Sequence, residues 1–244
     1  MSAPVIETRG LSTGYAGQPI VHDLDVRVHP GEVVCLLGPN GAGKTTTMLC
    51  LSGALPPLSG EVLFDGQPTK SPLHKRAQNG MSYVTEERSV FKGMSLRDNL
   101  RVGSVDAKDA LALFPELEKR MSVRGGLLSG GEQQMLTLAR ALARKPRLLL
   151  ADELSLGLAP LIVDRLLQAV RHAADERGLG VLMVEQHAHK ALKYADRAIV
   201  MRRGQVELDL SGEDARRRIG EVQQAYLTTG SGSIAEGEAK LSAT

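Results

Sequence analysis

The chain has 244 residues, of which 42% are hydrophobic, and this is enough for one large packed domain or two small ones. Its 30 basic and 28 acidic residues give a net charge of +2, so charge alone does not predict binding to nucleic acid or to an anionic membrane. The sequence has only two cysteines, and its apolar runs fall short of the about 18 residues that cross a bilayer. We therefore expect a cytosolic protein with reduced thiols, whose membrane association comes through another polypeptide.

Alternating polar and apolar residues near the start of the chain predict half-exposed strands. Residues 5–9 are predicted to form one strand, and residues 23–28 another with strict alternation. These strands favour an antiparallel β subdomain over about residues 1–30.

Continuous apolar runs predict a second kind of strand. They occupy residues 33–37, 148–151 and 181–184, and segments with helical patterning separate them. Strands of this kind are buried on both faces. We therefore expect an α/β fold with a mostly parallel sheet, whose carboxyl-terminal strand ends carry the active site.

The remaining segments predict helices, a hairpin and a tail. A helical subdomain is expected over about 87–140, and a hairpin over 198–208 is expected to turn at Gly204. A last helix is predicted over 222–227. Glycine, serine and small polar residues then dominate, so we expect one domain over 1–228 and a flexible tail over 229–244.

A glycine-rich loop follows the first buried strand and precedes a helix. Residues 38–45 match the P-loop pattern, whose backbone N–H groups surround phosphates together with the N-terminus of the next helix. We expect Lys44 to bridge the β and γ phosphates, Thr45 to offer its hydroxyl to Mg²⁺, and Thr46 to help hold the α phosphate. The predicted nucleotide-binding residues of this loop are Gly38, Pro39, Asn40, Gly41, Ala42, Gly43, Lys44, Thr45 and Thr46.

A second segment predicts another anion site. Residues 128–134 read Leu-Ser-Gly-Gly-Glu-Gln-Gln, and apolar residues then recur at helical spacing, so that Ser129, Gly130 and Gly131 open a helix. One nucleotide cannot easily need two such sites from a single small domain. Two facing copies could each offer the second site to the other's γ phosphate, which predicts a dimer.

The two motifs together resemble those of the ABC ATPase family, and the resemblance covers nearly the whole chain. It implies a P-loop NTPase core with an antiparallel β subdomain and a helical signature subdomain. It also implies a head-to-tail pair that binds two ATP molecules, each between one subunit's P-loop and the other's signature. Ser129, Gly130 and Gly131 then act in trans on the partner's nucleotide.

The acidic pair after the second buried strand also resembles the family's pattern. Asp152 is similar to the aspartate that holds Mg²⁺, usually through water, and Glu153 to the residue that polarises the attacking water as general base. Residues 155–160 correspond to the loop that crosses the dimer interface in this family.

Four further residues are carried over from the family, with alternatives left open. Many relatives have a histidine that contacts the γ phosphate after the third buried strand. Counting back from residues 195–197 places Gln186 there, and His187 is the alternative. Glu86 stands where most relatives have a glutamine that senses Mg²⁺, and a carboxylate could ligate the metal through water. Tyr15 resembles the early aromatic residue that stacks on adenine, or else it packs in the β subdomain.

Several details resemble the smaller ATP-binding subunit of bacterial branched-chain amino acid importers, among them Glu86 and the segment Ser-Leu-Gly-Leu-Ala-Pro at 155–160. This implies ATP hydrolysis that energises import of branched-chain or related amino acids, at the inner face of the cytoplasmic membrane. The implied partners are membrane permease subunits, a second cassette that is identical or paralogous, and indirectly a solute-binding protein, with no nucleic acid. The alternatives are an importer of another small polar solute, such as urea or amides, and a non-transport ABC ATPase.

Overall fold

The computed structural model describes residues 3–185 and 188–227, without the side chains of residues 225–227. The strands are β1 (Ile6–Tyr15), β2 (Gln18–Leu24), β3 (Arg27–Val28), β4 (Val33–Leu37), β5 (Ser59–Phe64), β6 (Gln67–Pro68), β7 (Met81–Val84), β8 (Leu148–Asp152), β9 (Gly180–Val184), β10 (Arg197–Arg202) and β11 (Gln205–Ser211). The helices are α1 (Lys44–Ser52), α2 (Leu73–Gln78), α3 (Leu96–Val102), α4 (Ala107–Leu113), α5 (Gly130–Ala143), α6 (Pro160–Arg177), α7 (Ala188–Tyr194), α8 (Gly212–Arg217) and α9 (Ile219–Leu227).

The central sheet has six strands in the order β11-β10-β4-β9-β8-β7, and only the β10–β11 pair is antiparallel among them. Every residue of β4, β8 and β9 is buried, which confirms the three buried strands predicted from continuous apolar runs. The α/β class with a mostly parallel core sheet is therefore confirmed. The carboxyl ends of β4, β7, β8 and β9 meet at one edge of the sheet.

The apolar runs are continuous because each face of this sheet has its own core. Cys35 and Leu37 face a core built mainly from α3 to α7, whereas Val34 and Leu36 face a core shared with α1 and the second sheet. Successive side chains of a strand point to opposite faces, so both sets must be apolar.

The second sheet is antiparallel and has the order β2-β1-β5-β6, with β3 paired to β1. The prediction of a single strand over 23–28 is wrong. Asp23 adopts a positive φ of 48°, and the Asp25 carboxylate accepts a hydrogen bond from Gly10 N at 2.7 Å, so the chain leaves the sheet between β2 and β3. The strands β5 and β6 also belong to this sheet, which therefore extends well past residue 30.

The other elements lie close to their predicted places. The helices α3, α4 and α5 fall largely in the helical region expected over 87–140. The hairpin β10–β11 is confirmed, with positive φ at both turn residues, Arg203 and Gly204. The final helix α9 starts before residue 222, and α8 precedes it. The predicted tail over 229–244 lies outside the described residues. In the described part of the chain, helices lack the length and apolar character needed to span a membrane.

Candidate active site

Three glycines give the loop after β4 its shape. Gly38, Gly41 and Gly43 have φ values of 148°, 79° and 98°, in the region that residues with a Cβ rarely adopt. A Cβ on Gly38 would also lie 2.3 Å from the carbonyl oxygen of Met201. The sequence therefore needs glycine here both for backbone conformation and for close packing, and the loop can turn its N–H groups inward.

Lys44 begins α1 and is 6% exposed. Its ammonium nitrogen donates to the carbonyl oxygens of Gly38 at 2.8 Å and Pro39 at 3.0 Å, and burial lowers its pKa. The helix has no side-chain cap at Gly43, so its first N–H groups are open to an anion. Phosphate oxygens would offer this ammonium group stronger, charged acceptors than the two carbonyls.

A cavity of about 590 Å³ opens beside this lysine; we call it the Lys44 cavity. The structure brings together in its wall residues predicted from three separate segments. They include Asn40, Lys44, Thr45, Thr46, Glu86 and Glu153. Ile20 and Leu156 line it as well. Leu156 belongs to the segment 155–160 expected at the dimer interface, whereas Ile20 was not predicted, because an isolated apolar residue carries no site signal.

Asp152 ends β8 and is only 2% exposed. Burial raises its pKa to about 6; a hydrogen bond with Thr45 acts against this, while the charges of Glu153 and Glu86 add to it. Its Oδ1 atom is buried and has no hydrogen-bond partner among the described residues. An unpaired buried carboxylate oxygen beside a threonine hydroxyl fits a hard cation such as Mg²⁺.

The described residues contain no cluster of three or more His, Cys, Asp and Glu side chains with metal-site geometry. This is compatible with Mg²⁺, which keeps much of its octahedral shell as water and phosphate oxygen and needs few protein ligands. The Thr45 hydroxyl and the unpartnered Oδ1 atom of Asp152 are donors that fit the expected metal.

Glu153 directly follows β8, and its side chain lines the Lys44 cavity. Its backbone adopts a positive φ of 51°, which is uncommon for a residue with a Cβ. Its N–H donates to the carbonyl oxygen of Val184 at 2.9 Å. The strand end of β9 thus fixes the turn that presents this carboxylate to the cavity.

Glu185 was not predicted as a site residue, yet it is a buried carboxylate at the same sheet edge. It follows β9, is 1% exposed, and accepts a hydrogen bond from the hydroxyl of Ser155, which is 6% exposed. Burial raises the pKa of Glu185 to about 7, while hydrogen bonds from the hydroxyl and N–H of Ser155 act against the rise. An acidic residue directly after a fully buried strand is the signal that identified Asp152, and it was available here too.

The second predicted anion site is the N-terminus of α5; residues 129–131 are here called the signature tip. The Ser129 hydroxyl accepts from Glu132 N at 3.3 Å, and the Glu132 carboxylate accepts from Ser129 N at 2.8 Å, forming a capping box. Arg120 donates to the Glu132 carboxylate at 2.7 Å. The N–H groups of Gly130 and Gly131 are the first of the helix and have no acceptor within it.

The signature tip has an arginine beside it that sequence reasoning missed. A Cβ built on Gly130 would lie 3.0 Å from Nη1 of Arg88, so the guanidinium packs directly on the glycine backbone. Gly131 has a similarly close neighbour: a Cβ built on it would lie 3.0 Å from the side chain of Ile162. An added Cβ at either glycine would require the neighbouring side chain to shift by a few tenths of an ångström.

The placement of three further predicted site residues leaves their roles open. Tyr15 ends β1 with 48% of its surface exposed and lies outside the cavity wall. Its stacking on adenine stays a prediction. Gln186 and His187 lie outside the described residues, so the choice of switch residue also stays a prediction.

Comparisons with known proteins identify the family of the chain. The family model described as ABC transporter matches residues 21–155. The chain is 39% identical over 227 residues to the high-affinity branched-chain amino acid transport ATP-binding protein BraG of Pseudomonas aeruginosa, covering 89% of this chain and 97% of the relative. It is 34% identical to the lipopolysaccharide export system ATP-binding protein LptB of Escherichia coli K12, covering 82% and 87%. It is 32% identical to the probable branched-chain amino acid transport ATP-binding protein LivF of Archaeoglobus fulgidus, covering 83% and 90%.

Solved structures show the same fold. An ATP-binding subunit of an ABC transporter matches with a TM-score of 0.75 and 27% identity, covering 92% of this chain and 97% of that one. An ATP-binding cassette in its ADP conformation matches with a TM-score of 0.82 and 22% identity, covering 92% and 98%. A family match across more than half of the sequence, with close relatives along most of it, shows that the chain belongs to the ABC transporter family as an ATP-binding and ATP-hydrolysing subunit.

Proposed function

We propose that this subunit hydrolyses ATP with Mg²⁺ in a head-to-tail pair of cassettes and drives import of branched-chain or related amino acids through membrane permeases. One observation carries the proposal. Lys44 and Glu153 share one cavity, whereas the signature tip is not part of the wall of that cavity. A second cassette that supplies its own signature tip would complete the site.

The nucleotide enters this site through its phosphates. The phosphate oxygens would replace the carbonyl oxygens of Gly38 and Pro39 as acceptors for the Lys44 ammonium group. They would also accept hydrogen bonds from the open N–H groups at the start of α1. Tyr15 at the end of β1 is the proposed adenine contact.

The proposed metal ligands are the Thr45 hydroxyl and Asp152, and Glu86 in the cavity wall is a water-mediated candidate. Bound Mg²⁺ would neutralise charge that develops on the phosphate oxygens. The Oδ1 atom of Asp152, which has no hydrogen-bond partner among the described residues, is the proposed metal-binding oxygen. Because Thr45 stands at the second position of α1, one helix end serves both the metal and the phosphates.

Glu153 is the proposed general base. Its carboxylate lines the cavity and would accept a proton from the water that attacks the γ phosphorus, as the bond to the β–γ bridging oxygen breaks. The partner's signature tip would bind the γ phosphate with the free N–H groups of Gly130 and Gly131 and the Ser129 hydroxyl, whose proton is not used by the capping box.

The proposed permease contact is the groove between β7 and α5, which has a volume of about 350 Å³. Thr85 and Ser89 line this groove, and Glu86 between them lines the Lys44 cavity. Arg140 from α5 also lines the groove and donates to the carbonyl oxygen of Ser89 at 2.7 Å. One short segment thus touches both places, which supports it as the link between hydrolysis and the membrane subunits.

The solute class rests on two relatives named for branched-chain amino acid transport, one of which is 39% identical. The relative named for lipopolysaccharide export, at 34% identity, makes an exporter the competing function. The test is to reconstitute the chain with the permeases and solute-binding protein of its own system in proteoliposomes. We expect leucine, isoleucine or valine to stimulate ATP hydrolysis and to accumulate inside. Stimulation by urea or amides alone, or by lipopolysaccharide alone, would replace the amino-acid assignment.

A further inference from the structure

The turn that carries Glu153 is held in an unfavourable backbone conformation. Its φ of 51° is one of seven positive values found at non-glycine residues in the described chain. Such conformations persist only where neighbouring structure fixes them, and they concentrate at functional sites. The contacts that fix this turn therefore determine where the Glu153 side chain begins.

Two consecutive residues at the end of β9 hold the turn. The Val184 carbonyl oxygen accepts from Glu153 N at 2.9 Å, and the Glu185 carboxylate accepts from the hydroxyl of Ser155. Both Glu185 and Ser155 are buried. Glu153, which has the positive φ, is thus held through its own N–H. The chain is held again two residues later, at Ser155.

Packing alone does not explain a glutamate at this place. Glu185 is nine-tenths or more buried, lies in the repulsive field of Asp152 and Glu153, and leaves its Oε1 atom without a hydrogen-bond partner among the described residues. Burying a carboxylate next to two others opposes folding, so a role in fold stability would be better served by a neutral side chain. What the carboxylate does supply is a strong, charged acceptor for the hydroxyl of Ser155.

We propose that Glu185 is a positioning residue, which holds Ser155 and thereby keeps the Glu153 carboxylate facing the Lys44 cavity. This inference rests on the proposed role of Glu153 as general base. It assigns no contact with substrate to Glu185.

The test compares Glu185→Ala, Glu185→Gln and Ser155→Ala, with Glu176→Ala as an exposed acidic control on α6. Misplacing the base should lower kcat about 10- to 100-fold in Glu185→Ala and Ser155→Ala, with KM for ATP within about twofold of the wild type. Glu185→Gln keeps an oxygen acceptor for Ser155 and should recover most of kcat. The double variant should be no slower than either single variant, because the two residues act through one contact. Glu176→Ala should match the wild type.

Wild-type kcat in Ser155→Ala and Glu185→Ala would overturn the inference, as would a loss in Glu185→Gln as large as in Glu185→Ala. If Glu185→Ala fails to fold, Ser155→Ala and Glu185→Gln decide the matter alone. Glu153→Gln separates this inference from the proposed function. If Glu153→Gln hydrolyses ATP slowly while the Glu185 and Ser155 variants keep wild-type rates, only the positioning role of Glu185 is contradicted. If Glu153→Gln itself keeps the wild-type rate, the assignment of Glu153 as general base is contradicted, and the positioning role with it.

Discussion

The ammonium nitrogen of Lys44 lies 2.8 Å from the carbonyl oxygen of Gly38, so the loop holds its own lysine at the place where phosphates are expected. Lys44→Ala should weaken ATP binding, because it removes the ammonium group that faces the expected phosphates. Loss of a charge-assisted contact of about 2–3 kcal/mol corresponds to a rise in Kd of roughly 30- to 150-fold. Isothermal titration with ATP measures this, with Lys75→Ala on α2 as the control. Unchanged affinity would contradict the predicted phosphate contact.

Gly38 and Gly66 provide a matched pair for the steric account of the P-loop. Both have positive φ, but a Cβ on Gly38 would lie 2.3 Å from Met201 O, whereas a Cβ on Gly66 meets nothing within 4 Å. Gly66→Ala should cost about 1 kcal/mol of unfolding free energy from the backbone alone. Gly38→Ala should cost at least about 2 kcal/mol and also abolish ATP binding. Urea unfolding measures both, and equal losses would contradict the steric account.

The pKa of Asp152 predicts an unusual pH dependence. The pKa is raised from 3.8 to about 6 in the folded chain, mainly by burial. The folded state therefore holds this proton more tightly than the unfolded state, and stability is lost as pH rises through the folded pKa. Without nucleotide or Mg²⁺, Asp152→Asn should be more stable than the wild type near pH 8 by up to about 3 kcal/mol.

The same difference should shrink as pH falls toward the unfolded pKa, because both chains are then neutral at this position. Thermal unfolding of the two proteins across the pH range measures it. The stabilised Asp152→Asn variant should nevertheless lose Mg²⁺-dependent hydrolysis. A wild type that is the more stable protein at high pH would contradict the burial of this charge.

Arg76 ties α1 to the segment before α2. It is 2% exposed and donates to the carbonyl oxygens of Cys50 at 3.1 Å, Leu51 at 2.6 Å and Ser71 at 2.8 Å. Arg76→Ala removes a buried donor shared by these three carbonyl oxygens and should cost about 2–4 kcal/mol of unfolding free energy. The exposed neighbour in Lys75→Ala should change it by less than about 0.5 kcal/mol. Chemical denaturation measures the free energy of unfolding of both variants. A loss below about 1 kcal/mol in Arg76→Ala would contradict this account, which predicts a loss of at least about 2 kcal/mol.

Local chemistry made part of this molecule predictable. The P-loop and the acidic pair are contiguous motifs, and the buried strands that carry them are continuous apolar runs. These features depend on short stretches of sequence, so they could be identified before the fold was known.

The features that were missed depend on residues far apart in the chain. The strand break near Asp23 follows from the hydrogen bond that Gly10 N donates to the Asp25 carboxylate. Alternation of polar and apolar residues does not reveal this contact. The contact between Ser155 and Glu185 joins the turn after β8 to the residue that follows β9. The order of strands in the sheet brings such groups together, and a pattern within one segment does not report that order.

The packing of Arg88 on Gly130 was missed for a similar reason. The arginine lies in an irregular segment after β7, where neither helical nor strand periodicity gives a side-chain direction. Its position became clear only from the fold.

The central claim is that ATP is bound between the Lys44 cavity of one cassette and the signature tip of another. The most direct test measures the molar mass of Glu153→Gln in solution, with and without ATP, and then adds Ser129→Arg to the same chain. The account predicts a monomer without nucleotide, a dimer with ATP, and a monomer that still binds ATP once Ser129→Arg blocks the signature tip. An ATP-loaded Glu153→Gln protein that stays monomeric, alone and when mixed with a paralogous partner cassette, would contradict the claim.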